Sequence, residues 1–540
     1  MTPELRRDLL WLMPPTLAGL FLRLWRVGEQ VLGGDELHAL RALLRMDLGE
    51  ILTTYQSTDF CQPLTALYRL LELAGAPLTE LTFRLPVLCA AVLTPLLLPL
   101  AVRRYLDRSG TVVFAWLLAL SPLLVLYGRM VRSYGIIVLV GFSAAMAFWR
   151  WLQHRRRRDA VLYAVLAALG VYFHLGTAPL LAAPFAFALG LKLLRPRESP
   201  TWVALVSLGL ATLAALAAFL LPAWHTLGTL IEEKSGAAEV DPSTLLPTLE
   251  QQAGTARLPL ALGVWLLAVA GVAVLWRRQR PFALFGLALA AVHVVGLLVL
   301  APQGLGSVVV LNRYFLVLTP WLLLWVAAGV TALAGERAWL RVLLPAATLA
   351  VLTLAGPFAD PAYRGSSFVH HPDFLNFHAP LAALPAGAVP QLYRQMAAAP
   401  EPGAVIEMPV STTWRRVRAP YVYQQVHHRR VIAANYDPVL CDARLSLHNR
   451  LCPSPDALLA TGARYLVVHR DEPAEESALV LNAWMQLLAG ESEAEARQQV
   501  QTRRLALALR RLWGRPDARE GGLMMWDLER VRRRLARSAG

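Results

Sequence analysis

Leu9-Leu10-Trp11-Leu12-Met13-Pro14-Pro15-Thr16-Leu17-Ala18-Gly19-Leu20-Phe21-Leu22-Arg23-Leu24-Trp25 is an apolar run, and shortly beyond it stands Gly33-Gly34-Asp35-Glu36-Leu37-His38. The run has the length a helix needs to cross a bilayer, roughly 17–25 residues. Two adjacent carboxylates at its end do not serve packing, because a carboxylate is costly to remove from water without a partner. They fit the lip of a membrane domain, where a lipid headgroup meets the aqueous phase. That placement points to chemistry on a lipid-borne substrate.

The rest of the chain agrees with a membrane setting. Of 540 residues only 16% are charged and 56% are hydrophobic, with a mean hydropathy of +0.46; a soluble protein carries about 25% charged residues. The formal charge of +15 and a pI near 10.2 could suggest nucleic acid. That reading loses, because the basic residues cluster in short loops between apolar stretches, where membrane topology explains them. Nearly all are Arg, with Lys192 and Lys234 the only lysines. Together with the Ala, Leu, Gly and Pro content, this indicates a GC-rich, bacterial source.

Eleven spans are expected, near 9–27, 86–102, 111–128, 134–151, 160–174, 177–194, 201–224, 259–276, 281–300, 314–334 and 342–357. The division at His174 and Gly176 also admits one long helix with a re-entrant piece. With the N-terminus cytoplasmic, Arg103-Arg104 and Arg108, Arg155 to Arg158, Lys192 with Arg195 and Arg197, Arg277-Arg278 with Arg280, and Arg337 with Arg341 fall on the inner side. Arg6 and Arg7 precede a first run broken by Pro14, Pro15 and Arg23, with no small-residue cleavage site, so it reads as a retained helix. The expected fold is an α-helical polytopic membrane domain, 1–357, followed by a soluble mixed α/β domain, 358–540, on the same outer side as a first loop at 28–85. That loop has helical periodicity over Glu36–Leu52 and Pro63–Leu73, as interfacial helices would. In the C-terminal part, Ala404–Met408 and Ala463–His469 read as strands bounded by Pro and Gly, and Glu491–Arg534 has helical spacing. Four cysteines are too few for a disulfide framework; Cys441 and Cys452 could pair on the exported side or remain thiols.

The order of features resembles the GT-C glycosyltransferases, of the protein O-mannosyltransferase and lipid A aminoarabinose transferase type. The resemblance is carried by Leu22-Arg23-Leu24-Trp25 leading to Gly33-Gly34-Asp35-Glu36, Gln62-Pro63-Leu64 before Tyr68, and Arg84-Leu85-Pro86. It continues in Ser121-Pro122 with Tyr127-Gly128-Arg129-Met130-Val131-Arg132-Ser133-Tyr134, and in Asn312-Arg313-Tyr314 ahead of Pro320. It covers about residues 9–335 and implies inverting transfer of a sugar from a polyprenyl-phosphate carrier to an acceptor glycan, lipid or protein. It also implies the outer face of a bacterial inner membrane and an Asp of the first outer loop in the catalytic centre.

Asp35 suits that role, since an inverting transfer needs a carboxylate to deprotonate or orient the acceptor hydroxyl; it also reads as an N-cap for a helix starting at Glu36. Glu36 is either a second site carboxylate or a first-turn acid favoured by the helix dipole. Asp59 stands near a second acidic position of some relatives, but here Cys61-Gln62-Pro63 follows, so it is either substrate-binding or an ordinary loop residue. Arg129, Arg132 and Arg313, with Tyr314, are expected to hold the donor phosphate by guanidinium forks between the outer ends of the third, fourth and tenth spans, close to Asp35. The bland alternative is snorkelling at helix ends. His174 lies where relatives often have a Thr-His-Tyr-like element, and is either substrate-binding or a satisfied histidine between helices. No Walker loop, GxGxxG, HExxH or metal-spaced Cys/His cluster is present, so no cofactor is evident and spacing indicates no metal. Two other readings are a catalytically silent scaffold or lipid-linked-sugar binder, and a transporter of lipid-linked sugar. A transporter would place broken helices and ionisable groups at the bilayer midplane, whereas here the midspan residues are almost uniformly apolar.

Overall fold

A computed structural model describes residues 3–25, 27, 36, 38–39, 42–43, 46–55, 60–76, 78–197, 199–234, 241–302, 305–335, 337, 339–358, 390–399, 405–408, 459, 463–469 and 502–539. They fall into two compact units, residues 1–28 with 38–380 and residues 29–37 with 381–540. Asp35, Asp59, Cys441 and Cys452 lie outside the described residues.

The first unit is helical, and its sequence marks where each helix starts. Helix α1 spans Pro3–Leu24. Asp47 caps α2 (Leu48–Thr53) through a capping box with Glu50, so the periodic stretch Glu36–Leu52 is interrupted at Met46-Asp47 and is not one helix. Helix α3 spans Gln62–Leu73. Thr79 caps α4 (Glu80–Val102), and Asp107 caps α5 (Arg108–Leu120) by accepting the Gly110 N–H at 2.7 Å. Ser121 then ends α5 and opens α6 (Pro122–Tyr127). Helices α7 (Tyr134–His154) and α8 (Arg157–Phe173) follow. The ambiguous stretch after α8 is two helices: His174 is extended, Leu175–Thr177 is a 3-10 turn, and α9 runs Ala178–Leu194. Beyond them come α10 (Trp202–Leu220), α11 (Trp224–Lys234) and α12 (Leu245–Ala253).

Helix α13 (Leu258–Leu300) is 43 residues long, about 65 Å if straight and so about twice a bilayer's hydrocarbon thickness. It bends instead at Gln279, which has non-helical dihedrals just ahead of Pro281, whose missing N–H and ring disrupt the helix. Both halves return to one neighbour, α15 (Thr319–Ala334), which follows α14 (Val308–Phe315). A Cβ on Gly271 of the first half would lie 1.8 Å from the Trp325 carbonyl oxygen, while one on Gly286 of the second half would meet the Trp321 ring at 3.0 Å. A Cβ on Gly329 would likewise lie 2.0 Å from the Leu267 carbonyl oxygen, so these helices touch backbone to backbone, as small residues allow in membranes. Helix α16 (Leu340–Leu354) completes the set. Among the described residues six segments are long and apolar enough to cross a bilayer: Leu81–Val102, Tyr134–His154, Leu175–Leu194, Trp202–Glu232, Leu258–Leu300 and Val308–Ala334. The chain is a multi-pass helical membrane protein. Helices α7 and α15 are the most enclosed of these segments, and α7 packs Phe148 against Tyr163 and Phe185 at 4.8 and 5.1 Å and Phe142 against Trp321 at 4.8 Å.

In the second unit the two expected strands are present as β1 (Val405–Met408) and β2 (Tyr465–His469), paired in parallel. The stretch expected to be helical over Glu491–Arg534 is not one helix. It contains α18 (Thr502–Trp513), the hairpin β3 (Ala518–Glu520) and β4 (Leu523–Asp527), then α19 (Leu528–Ala539), and α17 (Gln391–Ala398) precedes β1. Gly514 and Gly521 adopt positive φ, +86° and +58°, and so punctuate the periodicity. The sheet order is β1-β2-β4-β3, antiparallel after the first pair. The Glu520 carboxylate accepts the Gln391 and Leu392 N–H groups at 2.9 and 2.7 Å, capping α17, over a core of Leu392, Tyr393, Val405, Tyr465, Val467 and Met525.

Candidate active site

Ser121-Pro122 breaks the chain between α5 and α6, and Gly128 to Ser133 forms a turn before α7. Arg132 and Tyr134 therefore stand at the N-terminus of a 21-residue helix, whose dipole favours an anion. Helix α14 carries Arg313 and Tyr314 to the same place. The guanidinium carbons of Arg132 and Arg313 lie 6.0 and 5.7 Å from the centre of the Tyr134 ring. His174, at the break between α8 and α9, lies 5.7 Å from both the Tyr134 and Tyr314 rings. The structure thus gathers Arg132, Arg313 and His174 around Tyr134, which is itself 2% exposed, with Tyr314 on His174. Two planar, permanently charged forks about one aromatic ring can grip the oxygens of a phosphate from two sides.

Arg129 is placed differently. It is fully buried, and its Nη1 donates to the Leu22 carbonyl at 3.2 Å, at the end of α1. Arg84 donates to the Val27 carbonyl at 3.0 Å. Both brace the backbone that leads into the first loop. Glu36 is fully buried, while Asp35 and Asp59 lie outside the described residues. Among the described residues no group of His, Cys, Asp and Glu has a metal-binding arrangement.

Several supporting residues carry no sequence motif. Gly176 is required by the cluster, since a Cβ there would lie 2.4 Å from Tyr314 Cε1 and 2.9 Å from His174 Cε1. The His293 Nε2 is 2.8 Å from the Tyr314 carbonyl oxygen. A buried amide network fixes α14: Asn312 Nδ2 donates to Gln251 Oε1 at 2.8 Å, Gln252 Nε2 to Asn312 Oδ1 at 3.0 Å, and the Thr319 hydroxyl to Gln252 Oε1 at 2.7 Å. Asn312 precedes Arg313, so this network sets where that guanidinium stands. The adjacent Gln251-Gln252 pair, between the apolar stretches at 201–224 and 259–276, was the available signal.

No family model and no curated protein matches the chain in sequence. Solved structures do match in fold. The ArnT structure from Cupriavidus metallidurans bound to undecaprenyl phosphate aligns with a TM-score of 0.53 and 13% identity, over 85% of this chain and 92% of that one. The Archaeoglobus fulgidus oligosaccharyltransferase, in complex with zinc and sulfate, aligns with a TM-score of 0.53 and 13% identity, over 88% of this chain and 69% of that one. The mycobacterial arabinofuranosyltransferase AftD aligns with a TM-score of 0.51 and 19% identity, over 87% of this chain but 38% of its own length. These neighbours are GT-C glycosyltransferases, and the chain has their fold.

Proposed function

We propose that this protein is a membrane glycosyltransferase that moves a sugar from a polyprenyl-phosphate donor to an acceptor hydroxyl at the outer face of a bacterial inner membrane, with inversion. The observation that carries the proposal is the pair of guanidinium groups, Arg132 and Arg313, about the Tyr134 ring, in a chain with the GT-C fold. A prenyl phosphate is anionic at every relevant pH, and paired forks with Tyr314 beside them suit its phosphate. Arg129 belongs to this phosphate site in a supporting role, holding the turn that presents Arg132. A groove of about 550 Å³ between α8, α9 and α10, lined by Val171, Ala178, Leu181, Phe185 and Leu189 among others, begins one turn from His174 and suits the prenyl tail.

Asp35 is the proposed base, taking the acceptor proton as the anomeric carbon is attacked and the phosphate leaves; Glu36 is its companion, and Asp59 and His174 contribute to substrate binding. The span count belongs to the same proposal. Eleven spans follow if α13 counts twice at Gln279 and α5 with α6 counts once, and an odd number puts the first loop and the 358–540 region on one side. The test is sugar transfer by purified protein with prenyl-phosphate sugars, comparing wild type with Asp35→Asn. Loss of turnover in the variant is expected. Equal turnover by both proteins removes Asp35 from catalysis, and no transfer by wild type with any prenyl-phosphate sugar favours the silent lipid-binding reading.

A further inference from the structure

A second groove, of about 900 Å³, runs along α5 from Arg108 to Leu120, between α1, α5 and α16. Its volume is within the roughly 300–1,000 Å³ of small-ligand sites. The walls are hydrocarbon and aromatic, with Val113, Trp116 and Leu120 on α5 facing Pro345, Leu349 and Leu354 on α16. Its charge is confined to one end. There the lining includes Arg108 and Arg341, and the Ser109 hydroxyl is 3.5 Å from the Arg341 carbonyl oxygen, which ties the two helix starts together. The Arg108 guanidinium carbon lies 4.7 Å above the Trp11 ring, an arrangement typical of the membrane interface. The Arg341 Nε donates to the Gly335 carbonyl at 2.8 Å, which orients its fork.

One charged end and a long apolar body match an amphiphile, not a soluble ligand. The sign of the charge selects among amphiphiles. Two guanidinium groups stand beside the N-terminus of α5, whose dipole adds positive potential, and the Asp107 carboxylate at that end is engaged as the cap of the helix. Basic pockets between spans recognise anionic lipid headgroups.

We infer that this groove binds an anionic phospholipid of the bilayer, its phosphate between Arg108 and Arg341 and its acyl chains along α5 and α16. The site is separate from the Arg132–Arg313 cluster and does not depend on the proposed sugar transfer. The lipid would lock α16 onto α1 and α5.

The test is native mass spectrometry of the full chain in mild detergent, titrated with phosphatidylglycerol and, separately, phosphatidylcholine. Wild type should retain phosphatidylglycerol in preference. Arg108→Gln with Arg341→Gln should weaken that retention about tenfold or more, and because both side chains are exposed the fold should survive. Ala346→Trp, which fills the groove, should abolish it, whereas Arg103→Gln, at a residue paired with Asp8 outside the groove, should leave it unchanged. Equal retention of phosphatidylcholine, or unchanged phosphatidylglycerol binding in both groove variants, overturns the assignment. So does preferential capture of polyprenyl phosphate in this groove, or a dimer that Ala346→Trp dissociates.

Discussion

Arg23 and Arg132 are the same residue type in two of the quoted motifs, and their surroundings separate them. Pro122 has no N–H to give the Leu118 carbonyl four residues earlier, and the break at Ser121 also leaves the Ala119 carbonyl open. Arg23 fills both vacancies, its Nη2 donating to Leu118 at 3.3 Å and its Nη1 to Ala119 at 3.1 Å. A carbonyl stranded in an apolar interior costs about 1–3 kcal/mol. Arg23→Ala should therefore lower the Tm in detergent markedly while the protein that stays folded binds polyprenyl phosphate as before. An unchanged Tm would remove this structural role. The sequence marks the arginines as unusual but does not tell bracing from binding, because that depends on which carbonyl a distant proline has orphaned. Arg129, expected among the phosphate ligands, also donates to the Leu22 carbonyl, a contact that no spacing in the sequence announces.

At the scale of elements, the short helix α14 has eight residues, too few to hold its own position by helix propensity. The amides of Gln251, Gln252 and Asn312 hold it instead. Asn312→Leu should leave both glutamines without their partner, destabilise the fold, and weaken donor binding through Arg313 although Asn312 need not touch the donor. Asn312→Asp, which keeps the acceptor toward Gln252, should recover part of the affinity; a donor Kd unchanged in Asn312→Leu would show that the network is structural only. Elements were legible where their signal is local. The β1 and β2 runs could be read from sequence, the break at His174-Gly176 was one of two readings open there, and the division expected between 276 and 281 is a bend at Gln279 within α13. The β3–β4 hairpin could not, because Met524, Met525 and Trp526 are buried by contacts with β2 that no local period reveals.

For the whole molecule, the apolar stretches and the Arg-rich loops sufficed to read a polytopic helical protein, since both signals come from the bilayer as solvent, whereas the GT-C fold was legible only through the resemblance of the short motifs from Arg23 to Tyr314. The proposed sidedness rests on the same loops. Reporter fusions after Pro357 should therefore score outside the cytoplasm, and a cytoplasmic score would reject an odd span count and the outer site with it. Site membership was less legible: Tyr134 sits within a quoted motif yet its role as the hub between Arg132, Arg313 and His174 requires three separate helices to meet.

The central claim is that this meeting point holds a prenyl phosphate, and the affinity of purified protein for polyprenyl phosphate tests it most directly. Truncating one partner of a charge-assisted contact in a partly desolvated site costs on the order of 1.5–3 kcal/mol, roughly tenfold or more in affinity. Arg132→Ala and Arg313→Ala should each raise the Kd by at least about that factor, and Asp35→Asn should leave it close to wild type. A Kd unchanged in both arginine variants would show that the phosphate binds elsewhere.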